Sequence, residues 1–261
     1  MLEESQAALI REIRTRVKGK ARPEAARVSL RLLGLALCAV ALISSCQRTG
    51  KSADGRRFPA PDRPVAPIIS ASYSDEKTRD EQREAEQVMD RLGVAPGTRV
   101  ADIGAGEGYY SARLARRLGP SATIYAEDVK AEYLERLEDR LKREGVRGVR
   151  IVLGQPRDPR LPPGSIDVAI LAHMYHEIEN PYEFLYRLHP ALGPHGRVGI
   201  VDADRPTQDH GTPPALLRCE LAVVGYRQVD FLRLAPTETY LAVFTPPDGL
   251  PQPESMRPCK Q

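Results

Sequence analysis

A short apolar strand that runs directly into glycines at every second position is the feature that most limits how this 261-residue chain can fold. Arg99 to Ile103 (RVADI) has the look of a buried strand, Gly104-Ala105-Gly106-Glu107-Gly108 follows, and Tyr110 to Leu118 has the spacing of a helix that stops at Gly119-Pro120. Glycine adopts positive φ without steric cost and lets a ligand approach the main chain closely, so a strand, a glycine turn and a helix in this order predict a nucleotide-type loop. A dinucleotide site would need G-x-G-x-x-G, with a pyrophosphate on the helix N-terminus. Here the third glycine comes one residue early, and Asp102 and Glu107 flank the place where that anion would sit. Two carboxylates suit a cationic ligand better than a dianionic one.

The flanking pattern extends this unit into a fold. Asp80 to Leu92 carries Ala85, Val88, Met89 and Leu92 at helical spacing. Ala122 to Ala126 reads as a second strand, Lys130 to Glu144 as a helix, Val149 to Leu153 and Ile166 to Leu171 as strands three and four. Pro181 to Leu192 reads as a helix frayed by Pro190, Arg197 to Asp202 as strand five, and Pro214 to Val224 as a helix closed by Gly225. Arg227 to Leu234 and Thr239 to Phe244 are close enough to pair as a hairpin. Alternating strands and helices predict an α/β fold over residues 74–246: a doubly wound, mostly parallel seven-stranded sheet with a C-terminal antiparallel hairpin. Such sheets bind ligands beyond the carboxyl ends of their strands, where the strand order reverses.

The stretch Val100 to Gly108 resembles motif I of the class I S-adenosylmethionine-dependent methyltransferases, an acidic residue followed by G-x-G-x-G, and the resemblance continues from about Arg79 to Phe244. It implies S-adenosylmethionine as cofactor, with contacts at Asp102, Gly104, Ala105, Gly106, Glu107 and Gly108. It places the ribose-binding acid at Glu127-Asp128, with Asp128 aligning better and Glu127 as the alternative. After strand three the family's G-D-x pattern is replaced by Gly154-Gln155-Pro156-Arg157-Asp158, which leaves Gln155 or Asp158 to border the adenine. His173, Tyr175 and His176 occupy the substrate-side position after strand four, with His173 also bordering the cofactor and His176 suited to act as general base. Asp202, Arg205 and His210 should approach the same opening. A metal site built from His173, His176, Glu177 and His210 is the competing reading, but H-x-x-H-E matches neither zinc-protease arrangement, so no metal is expected. The expected activity is methyl transfer to a small-molecule or lipid-like acceptor; the alternative is a module that keeps the fold and binds a ligand without catalysis.

A net charge of +3, with basic residues crowded between Arg11 and Arg31, supplies no nucleic-acid footprint on the folded part. Leu32 to Ile43 is a charge-free apolar run too short for a hydrocarbon core of roughly 30 Å, but suited to the centre of a secretory signal, with Arg27 and Arg31 as its positive flank. It ends in Ile43-Ser44-Ser45-Cys46, which resembles the lipobox of bacterial lipoproteins. This resemblance implies a signal over residues 1–45, lipidation of Cys46, and anchoring in the cell envelope facing the periplasm. Gln47 favours the outer membrane; cytoplasmic residence is the alternative if the segment is not a working signal. Residues 46–73, rich in Pro, Arg and Ser, read as a disordered tether, and 247–261 as a disordered Pro-rich tail. Cys219 is expected to pack in a helix and Cys259 to lie in the tail, with a disulfide between them as the alternative in an oxidising compartment.

Overall fold

The computed structural model describes Gly55 and residues 57–68, 76–234 and 236–260; the expected signal at 1–45 and Cys46 lie outside them. Among the described residues no helix is long and apolar enough to cross a membrane.

Seven strands, β1 (Arg99–Ile103), β2 (Thr123–Asp128), β3 (Val149–Leu153), β4 (Ile166–Ala172), β5 (Leu192–Ala203), β6 (Arg227–Arg233) and β7 (Thr239–Thr245), form one sheet. Their order is β3-β2-β1-β4-β5-β7-β6. The first five strands run parallel, while β7 lies antiparallel between β5 and β6. The expected α/β architecture with its terminal hairpin is therefore the observed one. From β1 the chain winds outward to β3, then returns to β4 on the other side of β1. The order reverses at the β1–β4 boundary, and the crevice of a doubly wound sheet opens there.

Helices α1 (Glu76–Glu81), α2 (Glu84–Arg91), α3 (Tyr109–Leu118), α4 (Ala131–Arg143), α5 (Pro181–Leu188) and α6 (Pro214–Val223) cover the two faces. Leu114, Ile124, Val168, Ile170 and Val201 pack with Val88 and Leu92 into one apolar layer. Tyr182, Leu185, Leu217, Leu221 and Phe244 fill the opposite one. Burying each side chain of this size contributes about 1.5–3 kcal/mol, so the two layers dominate the stability of the fold.

Three local expectations change. The helix expected from Asp80 to Leu92 is broken into α1 and α2, because Arg83 takes a left-handed φ of 54°. The break lets the Arg79 guanidinium reach back to Glu84 at 2.7 Å and lie 3.6 Å from the centre of the Tyr109 ring. The frayed helix before β5 ends at Leu188 in a 3-10 turn, His189–Ala191, as the proline at 190 dictates. The strand that follows is longer than expected and begins at Leu192.

The largest correction concerns the segments read as disordered. Residues 57–68 lie against the domain, with Phe58 and Ala66 buried, and in the tail Met256 and Cys259 are buried. Asp62 bridges Lys260 in parallel, so the two segments meet each other. Arg63 donates from Nε to Glu220 Oε1 at 2.9 Å, and both side chains are fully buried. The other oxygen of Glu220 accepts from Tyr175 Oη at 2.9 Å, so neither buried charge is left without partners. Cys219 and Cys259 form a disulfide, and the Cys259 amide donates to Tyr182 Oη at 2.9 Å. Overall polarity conceals this docking. A few apolar anchors, one buried ion pair and one covalent bond suffice to order segments whose average composition reads as solvated.

Candidate cofactor and acceptor site

The loop between β1 and α3 takes positive φ at each glycine: 66° at Gly104, 54° at Gly106 and 89° at Gly108. A side chain at such angles costs roughly 1–2 kcal/mol per residue. Gly108 is needed for space as well, since a Cβ there would lie 2.2 Å from Leu137 Cδ1 of α4. At Gly106 a Cβ would meet no protein atom, so its glycine serves conformation.

The end of β2 holds this loop. Ala105 N donates to the Glu127 carbonyl at 2.8 Å, and Gly106 N donates to Asp128 Oδ2 at 2.9 Å. Asp128 Oδ1 accepts from Lys130 N at 2.8 Å, which fixes the carboxylate between the loop and the start of α4. Burial pushes Asp128 above the usual carboxylate range, although the backbone amides it accepts from oppose the shift. Glu127 is buried more deeply, and its Oε1 has no hydrogen-bond partner among the described residues. Burial first, then the neighbouring Asp128 charge, raises its pKa well above that of an ordinary glutamate. Gly154 makes room for it, because a Cβ there would fall 1.7 Å from Oε1.

Beside these groups lies a cavity of about 410 Å³, within the size range of small-molecule sites. Its wall includes Gly104, Ala105, Gly106, Glu107, Glu127 and Asp128, with Gln155 and His173 farther round. The remaining wall is largely apolar, with Val65, Ile68, Met174, Ile178 and Phe184. Glu107 is in the wall but already pairs with Arg136 at 2.8 Å.

Three residues expected to touch the cofactor lie outside that wall. Gly108 is behind the loop, against Leu137. Asp158 turns back to accept from Arg160 N at 2.8 Å. Asp102 is buried beneath the loop, where its Oδ2 accepts from Ser111 Oγ at 2.6 Å and so joins β1 to the first turn of α3. Burial raises its pKa to about 6, with the Ser111 bonds opposing. An acid whose pKa rises on folding binds its proton more tightly in the folded state. Its contribution is most favourable below its ordinary value of 3.8, and declines until about pH 6. Asp102→Asn is therefore expected to gain stability relative to the parent as pH rises from 4 to 6, with a constant difference above that. Parallel urea titrations at each pH check this, and a difference that does not change with pH refutes it.

The three residues expected to carry catalysis separate. His173, at a positive φ of 56°, remains in the cavity wall, with Nε2 at 3.0 Å from Glu84 Oε2. Burial would raise Glu84, but His173 and Arg79 prevail and bring it down to about 2. Tyr175 is fully buried on Glu220, and His176 is buried with Nδ1 at 3.0 Å from Asp202 Oδ1. Neither lies in the wall. Beyond β4 the chain enters a 3-10 turn, Tyr175–Glu177, which sends successive side chains in different directions. Arg205 pairs with Glu238 at 2.7 Å, and His210 stacks edge-on against His176 instead of facing the cavity. Glu84 and Arg79 were not expected at the site, because charged residues on a short helix ordinarily face solvent. Tyr109 is the one hint, an aromatic residue directly after the glycine loop.

Residues 100–196 match the family described as a methyltransferase domain. The fold agrees with solved structures at low identity. A SAM-dependent methyltransferase from Aquifex aeolicus is 20% identical, with a TM-score of 0.60 over 66% of this chain and 98% of that one. Over residues 100–196 this chain is thus similar to methyltransferase domains. Among curated relatives, a demethylmenaquinone methyltransferase of Geobacillus kaustophilus is 25% identical over 47% of this chain and 52% of its own length. A ubiquinone/menaquinone biosynthesis C-methyltransferase of Ectopseudomonas mendocina is 29% identical over 44% and 45% respectively. The chain thus spans about half the length of the curated relatives it matches. The chain also shares its fold with a [4+2]-cyclase, at 14% identity and a TM-score of 0.55 over 72% of this chain and 90% of that one. The fold alone therefore does not fix the reaction.

Proposed function

We propose that the chain is an S-adenosylmethionine-dependent methyltransferase acting on a small, largely apolar acceptor. The observation that carries this reading is a cavity wall that combines a set of acidic and glycine residues with a set of apolar ones. In the first set, Asp128 and the unpartnered oxygen of Glu127 supply acceptors for two ribose hydroxyls, as a carboxylate can accept from both at once. The acidic surroundings also suit the positive charge on sulfur and amine. Gly106 keeps that part of the wall free of a side chain. Gln155 borders the adenine, and Asp158, outside the wall, leaves that role to it. The apolar set, with Val65, Ile68, Met174 and Phe184, receives the acceptor.

The bound cofactor supplies an electrophilic methyl group on sulfur, which the acceptor attacks in line. The chain's part is to hold both in near-attack geometry, which accounts for much of the acceleration in such transfers. Where the acceptor must lose a proton, His173 is the group in reach, and the ionised Glu84 stabilises the imidazolium that forms. The likeness to methyltransferases named for menaquinone and ubiquinone biosynthesis supports a ring-bearing, lipid-like acceptor.

Export to the cell envelope, with a lipid on Cys46, belongs to the same proposal. The apolar run ending in Ile43-Ser44-Ser45-Cys46 supports it, and so does the Cys219–Cys259 bond, since stable disulfides are rare where the cytosol keeps thiols reduced. Labelling cells with a radioactive fatty acid checks the anchor: label is expected on the parent and lost in Cys46→Ser.

Calorimetric titration of the full chain with S-adenosylmethionine, followed by assay on quinols and phenols, tests the activity. Binding with turnover of at least one acceptor is expected. No heat and no thermal shift would overturn the cofactor, and binding without turnover of any acceptor would favour a ligand-binding module.

A further inference from the structure

We infer that His176, Glu177 and His210 form a site for a divalent transition-metal ion at the edge of the acceptor cavity. One ligand atom from each of the three lies within 4.8 Å of the others. Spacing along the chain does not establish this, since His210 is far from the other two. The parallel pairing of β4 with β5 brings the turn after one strand against the loop after the other.

The second observation is the support behind His176. Its Nδ1 lies at 3.0 and 3.1 Å from the two oxygens of Asp202. Asp202 is fully buried and further held by Thr212 Oγ1 at 2.7 Å and Ala203 N at 2.9 Å. An imidazole that donates from Nδ1 to a carboxylate has its Nε2 lone pair free for a metal, and its ring orientation is set in advance. Histidines bound to metals are almost always backed in this way. Arg63 donates to the His176 carbonyl at 3.4 Å and is already matched by Glu220.

Two imidazoles and one carboxylate favour Zn²⁺, Co²⁺ or Fe²⁺ over Ca²⁺ and Mg²⁺, which take oxygen ligands. Three protein ligands leave a coordination position open, as in catalytic zinc sites. Glu177 belongs both to this triad and to the cavity wall, so the site borders the space assigned to the acceptor. If methyl transfer is the reaction, an acceptor hydroxyl held by the ion would pass its proton more readily to His173, and its oxygen would bond to the methyl group as the methyl–sulfur bond breaks and S-adenosylhomocysteine leaves. That role rests on the proposed function; metal binding does not.

The test uses untagged full-length protein stripped with chelator and titrated separately with Zn²⁺ and Co²⁺. One equivalent of each is expected to bind, with visible Co²⁺ bands from an ordered nitrogen–oxygen site. Glu177→Gln and His210→Ala change partly exposed residues and should weaken binding by about a hundredfold or more. Asp202→Asn, which touches no metal, should weaken it 10- to 100-fold, the usual effect of losing such a backing group. Circular dichroism confirms that each variant is folded. Absence of a stoichiometric site in the parent, or equal binding by the parent and both ligand variants, overturns the inference. Titration of the same samples with S-adenosylmethionine keeps the two readings apart: metal binding without cofactor binding leaves this site standing and removes the methyltransferase.

Discussion

Asp128→Ala is expected to weaken S-adenosylmethionine binding by about a hundredfold or more while leaving the domain folded. Two losses add. The carboxylate anchors Gly106 N, so without it the middle of the cofactor loop loses its tie to β2. The variant also removes acceptors offered to the ribose, and hydrogen bonds to a charged group contribute roughly 1.5–3 kcal/mol each. Two such bonds correspond to at least a factor of one hundred, at about 1.4 kcal/mol per tenfold. Stability should move far less, because burial already raises the pKa of Asp128 and its removal relieves that desolvation. Glu127→Gln sharpens the comparison. It keeps the shape but replaces a buried carboxyl that has one oxygen without a partner, so the variant should be at least as stable as the parent while binding the cofactor more weakly. Calorimetric titration and thermal melts of the same samples decide the matter. Unchanged affinity in Asp128→Ala would mean that the ribose does not sit at the end of β2.

The elements that carry this reasoning were legible because they depend on short-range rules. Arg99–Ile103 is a strand with the expected ends, and the three loop glycines take the positive φ that their spacing predicts. The roles of single side chains were less legible. Asp102 aligns with a cofactor contact yet faces Ser111, since the last residues of a buried strand alternate between the crevice and the helix packed behind it. Tyr175 and His176 follow His173 closely in sequence, but a 3-10 turn, not a continuing strand, decides where they point. Glu84 was illegible for another reason. It lies in a helix that reads as solvated, and only folding brings His173, Arg79 and Tyr110 around its carboxylate. The segments at 57–68 and 247–260 show the limit of composition. Mean polarity describes a segment's average, whereas docking depends on Phe58, Arg63, Met256 and Cys259 finding partners far along the chain.

Breaking the Cys219–Cys259 bond is the second large effect expected, and it reaches the acceptor cavity. Cross-linking residues 40 apart in sequence restricts the unfolded chain by about 4 kcal/mol in the loop-entropy treatment. For a domain of this size, that corresponds to a fall in Tm of roughly 8–16 °C. The consequences should be directional. The bond fixes the tail to α6, the helix that also carries Glu220, and Glu220 receives Arg63 from the segment 57–68. Only two residues beyond Arg63, that segment becomes cavity wall at Val65 to Ile68. The glycine loop, by contrast, is held by β2 and shares no hydrogen bond with α6 among the described residues. Reduction, or the double change Cys219→Ser with Cys259→Ser, should therefore raise the KM for acceptor more than the Kd for S-adenosylmethionine. Thermal melts with and without reductant, paired with a thiol count on unfolded protein, measure the first effect, and steady-state kinetics the second. A melt insensitive to reductant would show that the bond adds nothing to the fold. Loss of cofactor affinity in step with acceptor affinity would show that the residues proposed to hold the two ligands are not supported independently.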